Sequence, residues 1–106
     1  SQMVTQEQLF RSRKAALQAD LQSLREAIEG QEGLLTAYQG MLSNRRMQVS
    51  LLQDELKQTR ELVKEGYAPR NRQLELERMV SEANGSIAEL LGNITRGQRS
   101  SISAAT

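Results

Sequence analysis

The residues in this chain that could do chemistry are carboxylates and guanidiniums. They gather in "LVKEGYAPRNRQLELER", residues 62–78. Glu75 and Glu77 would suit general acid–base work if they faced one another. Residues two apart on a helix point to different faces, so they do not read as a catalytic pair. The chain has no His and no Cys. Nucleophile–base pairs and thiolate or imidazole metal sites therefore lack their usual members. The sequons "NGS" (84–86) and "NIT" (93–95) match the glycosylation pattern but fall in a helical stretch, where they read as chance matches. An enzyme is not expected, and no catalytic, cofactor or metal residue is assigned. Arg60/Lys64 and Glu61/Glu65 are like-charge pairs at i,i+4, mildly unfavourable in a lone helix. A docking tip and an ordinary solvated face both accommodate that.

The elements that must position this cluster follow from composition. The chain has 106 residues with 3% aromatics, one Pro and no Trp, and Gln, Glu, Leu, Arg and Ala dominate. Such a sequence can hardly build an aromatic globular core, but it favours long helices packed through narrow apolar stripes. The net charge of +1 gives no strong case for nucleic acid or an anionic membrane surface. No apolar run is long enough to span a bilayer, and no signal peptide is evident. The opening "SQM" and closing "SISAAT" look like cut ends of a larger protein.

A seven-residue repeat organises the rest. Leu21, Ile28, Leu35, Leu42, Val49, Leu56 and Val63 form an unbroken apolar a column. The matching d column holds Phe10, Leu17, Leu24, Gln31, Tyr38, Arg45, Leu52 and Thr59, apolar at first and mixed later. In the second half Leu76, Val80, Ala83, Ile87, Leu90 and Ile94 continue the spacing, followed by Gly97 and Ser101. Sustained heptads of this kind predict coiled-coil helices over about 5–64 and 70–102. Between them Gly66 suits the left-handed position that ends a helix, and Pro69 suits the first turn of the next. A short connection makes the two helices antiparallel neighbours.

The predicted fold is therefore all-α: a single long antiparallel hairpin with a tip turn at 65–70 and a first helix longer than the second. Folding about residues 67–68 sets Ile102 near Gly33, leaving the apolar seam of residues 5–32 without a partner. Helix two could continue further, another chain could cover the seam, or helix one could break near Gly30–Gly33 and fold back. Gly33, Gly40, Gly85 and Gly92 all fall at f, opposite the hairpin seam. They read either as sites for close lateral packing of several hairpins or as tolerated weak points.

"LVKEGYAPRNRQLELER", followed by a heptad helix with "ANGSIAELLGNI", resembles the hairpin of bacterial membrane fusion proteins. These are the periplasmic adaptors of type I secretion systems, the hemolysin D-like group. The likeness is to the branch serving secreted proteases, lipases and heme-binding proteins (the AprE, PrtE, HasE and LipC type). It implies an inner-membrane-anchored protein whose hairpins cross the periplasm and pack side by side into a hexameric tube. It further implies that the tips meet a TolC-type outer-membrane channel and that the other end engages an ABC transporter. The efflux-adaptor tip pattern R-x3-L-x6-S matches here only at Leu62, since Gln58 and Pro69 stand at the other two positions. The tip residues the resemblance points to are Leu62, Glu65, Gly66, Tyr67, Ala68, Pro69, Arg70 and Asn71. An ordinary coiled-coil scaffold or dimerisation module is the alternative.

Overall fold

The computed structural model describes residues 2–105, with side chains for residues 5–100. Among the described residues there are two helices and no strand: α1, Gln2–Lys64, and α2, Arg70–Ala105. The helices are set by good helix formers and end where the sequence places Gly66 and Pro69. Gly30 and Gly33 both lie in helical backbone, so the break considered there is not adopted. The expected approach of Ile102 to Gly33, and the seam position of Ser101, fall outside the described side chains.

The chain divides into two units, residues 1–34 and 35–106. The second holds the core. Val49, Leu56, Leu76, Leu90 and Ile94 are buried there, together with Thr59. Leu35, Tyr38, Leu42, Arg45, Leu52, Val63, Val80, Ala83 and Ile87 are half-buried. These are the a and d positions of the heptads, mixed members included. Burying a Leu or Ile side chain is worth roughly 1.5–3 kcal/mol, so this narrow stripe holds the two arms together. Leu76, at 0% exposure, is the most completely buried of them.

Two ion pairs cross between the helices and report how they face. Arg60 and Glu77 meet at 3.0 Å, and Arg72 and Glu55 at 2.6 Å. In heptad terms the first joins e to e and the second g to g. Only antiparallel helices bring those positions together, so the salt bridges fix the direction of α2 independently of the turn.

The first unit differs. Its heptad positions Phe10, Leu17, Leu21, Leu24 and Ile28 are 46–68% exposed. The periodic apolar face expected from the sequence is present, and among the described residues of this unit nothing covers it. No helix among the described residues is long and apolar enough to cross a membrane.

Candidate docking tip and outer edges of the hairpin

The tip is built by backbone geometry. Gly66 has a φ of +82°, the left-handed region that residues with a Cβ avoid. Its N–H donates to the Val63 carbonyl at 3.1 Å, and the Tyr67 N–H donates to the Leu62 carbonyl at 2.8 Å. This is the Schellman pair of hydrogen bonds, which satisfies carbonyls that a helix end would otherwise orphan. Nothing lies within 4 Å of a Cβ built on Gly66, so its requirement for glycine is conformational rather than spatial. Pro69 sits one residue before α2 rather than inside its first turn. Its carbonyl accepts from the Arg72 N–H at 3.1 Å, and its missing N–H leaves no donor to satisfy.

The side chains that this turn presents are open to solvent. Tyr67 is 80% exposed and Leu62 44%. Glu65, Pro69, Arg70 and Asn71 are exposed, and Ala68 is half-buried. The first turn of α2 carries Arg70 and Arg72 and no acidic residue. Cations at a helix N-terminus oppose the helix dipole. Arg72 escapes the conflict by pairing with Glu55 and, at 3.3 Å, with Glu75. These hydrogen bonds, Glu55 first, raise its pKa above the ordinary arginine value. Arg70 makes no ion pair among the described residues. An exposed ring, a guanidinium outside any ion pair of the described residues and a hydrogen-bonded turn thus share one end of the hairpin.

Below the tip, Glu77 accepts from Gln73 at 3.2 Å and from Arg60 at 3.0 Å, both through Oε1. The Gln73 bond, then Arg60, hold its carboxyl below the ordinary 4.5. Sequence reasoning did not single out Glu55, Arg60, Arg72 and Glu77 as cross-helix partners. Reading the e and g columns of both arms in antiparallel register would have found them. On the g flank, the small Ala83 and Ser86 leave an open groove beside Met41, Asn44, Arg45 and Gln48.

The four glycines expected at lateral positions do lie away from the core. Gly33, Gly40 and Gly85 have nothing within 4 Å of a Cβ, and Gly92 has only the flexible Arg96 guanidinium, at 3.5 Å. The structure brings the tip residues together at one turn and spreads the glycines along the backs of the helices.

The family model of AprE, described as a long alpha-helical hairpin, matches residues 1–105. The alkaline protease secretion protein AprE of Pseudomonas aeruginosa is 42% identical over 87 residues, 82% of this chain and 20% of that protein. The proteases secretion protein PrtE of Dickeya chrysanthemi is 34% identical over 83 residues, 78% of this chain and 18% of that protein. The chain thus spans about a fifth of the length of these relatives. No solved structure matches it significantly. With the matched region coinciding with the two helices and their glycine–proline turn, the chain belongs to the AprE family, as its long α-helical hairpin.

Proposed function

We propose that this chain is the hairpin of a periplasmic adaptor in a type I protein secretion system, in a protein anchored in the inner membrane. The adaptor links an ABC transporter to a TolC-type outer-membrane channel. Its role is structural, not enzymatic. The antiparallel arms span distance, copies packed side by side through Gly33, Gly40, Gly85 and Gly92 form a conduit wall, and the tip docks to the channel. The tip contact uses Leu62, Glu65, Gly66, Tyr67, Ala68, Pro69, Arg70 and Asn71. The observation that carries this reading is the tip itself: a left-handed turn holding Tyr67 80% exposed beside an unpaired Arg70. Tyr67 offers apolar area with a polar handle, and Arg70 a charge-assisted hydrogen bond. A single small tip binds weakly, and several tips in one ring bind together far more tightly.

The test replaces Gly66, Tyr67 and Arg70 together by Ala in the full-length protein. Secretion should fall by about tenfold or more, because loss at every tip compounds across the ring. Cross-linking of the tip to the channel should disappear while the protein still accumulates. Secretion and cross-linking at the unsubstituted level would end the docking reading.

A further inference from the structure

Asn followed by Gly is ordinarily a turn signal, since both residues accept a left-handed backbone. Asn84–Gly85 instead lies inside α2, with helical residues on both sides. The stretch around it is weak. Asn84, Gly85 and Ser86 are all poorer helix formers than Ala. The seam is fully buried at Leu76 and again at Leu90, but Val80, Ala83 and Ile87 between them are only half-buried. The open groove beside Ala83 and Ser86 falls in the same stretch. Asn84 is exposed, and its side-chain amide enters none of the hydrogen bonds among the described residues. Nothing lies within 4 Å of a Cβ built on Gly85.

We infer that Asn84 is a modification site: it deamidates through Gly85, and does so when this stretch of α2 opens. The Gly85 backbone nitrogen attacks the Asn84 side-chain carbonyl carbon. A new C–N bond closes a five-membered succinimide, the Gly85 nitrogen gives up its proton, and the side-chain nitrogen leaves as ammonia. Water then opens the ring to aspartyl and isoaspartyl products, so no oxidant or other reactant is required. Glycine favours the attack because it sets no side chain beside the attacking nitrogen. The helix opposes it twice. It holds the Asn84 ψ near the helical value of roughly −42°, which turns the Gly85 nitrogen away from the side chain. It also ties the Gly85 N–H to the carbonyl four residues back, that of Ser81. The other asparagines have bulkier neighbours: Asn44 and Asn71 precede arginines, and Asn93 precedes the branched Ile94. The isoaspartyl product carries one extra main-chain carbon. Every later seam residue, Leu90 and Ile94 included, then leaves its heptad place against α1. The modification is thus a lasting record of how often α2 has opened.

The test holds the full-length protein at neutral pH, folded or in denaturing urea, and follows the fragment containing Asn84 by mass spectrometry and isoaspartate detection. In urea Asn84 should convert before the other three asparagines. In the folded protein the same conversion should proceed at least about tenfold more slowly, because it waits on local opening. Ser81→Ala with Ser86→Ala raises helix propensity and leaves the Asn–Gly bond intact. That pair should slow the folded rate by about a further fivefold and leave the urea rate unchanged. Earlier conversion of another asparagine in urea, equal folded and unfolded rates, no product at all in the folded protein, or no response to the alanine pair would each overturn the inference.

Discussion

Glu77 gathers two donors on one oxygen, Gln73 from its own helix and Arg60 from the other arm. Its carboxyl is held below the ordinary 4.5. A depressed folded pKa means the stabilisation is complete above the unfolded value and is lost as pH falls through the lowered folded value. The hairpin's melting temperature should therefore decline as pH falls from the ordinary glutamate value through the lowered value of this carboxylate. Glu77→Gln should start lower at pH 7 and show a shallower decline, as followed by circular dichroism. An unchanged slope would mean the cross-pair adds nothing in solution. At this scale the sequence was partly readable. Gly66 and Pro69 announced the turn, because glycine tolerates the left-handed φ that ends a helix and proline lacks the N–H a continuing helix needs. The ion pairs are not legible residue by residue, because each side chain is unremarkable until the register of the two arms is known.

Each helix shows how far a heptad can be trusted. In the second unit the predicted columns are the buried stripe, and even polar Thr59 is covered because its position, not its type, faces the other arm. In the first unit the same pattern is exposed, with Phe10 at 68%. Periodicity states which face wants a partner, but carries no information on whether one is there. Long helices without packing are only marginally stable. Amides of residues 5–28 should exchange with solvent at least about a hundredfold faster than those of residues 49–63, by hydrogen–deuterium exchange of the 106-residue chain. Equal protection would show that another chain covers the apolar face of residues 10–28.

For the hairpin as a body, direction is the decisive property. Gln53 and Asn84 stand in the same e-to-e relation as Arg60 and Glu77. Helix axes in such packing are 8–10 Å apart, so nitroxide labels at Gln53→Cys and Asn84→Cys should lie within about 20 Å. A continuous rod, as in a parallel scaffold, would hold them roughly 45 Å apart. A long distance in electron spin resonance would remove the hairpin and with it the tip. The all-α class, two arms and turn were readable because every local preference pointed the same way. The identity of whatever meets Tyr67 and Arg70 was not, because an exposed ring and an unpaired cation record a need and not the partner that meets it.

The turn at Gly66 also sets an order of events in time. It joins segments only a few residues apart, so closing it loses little chain entropy, while contacts further down bridge ever longer stretches. Assembly should begin at the tip and zip downward, with Leu76 the first deeply buried side chain to lock. Synthesis runs the other way: all of α1 is made before α2 exists. The growing chain therefore carries a bare apolar seam until the residues around Leu76 emerge, and from that moment the hairpin closes from its newest end backward.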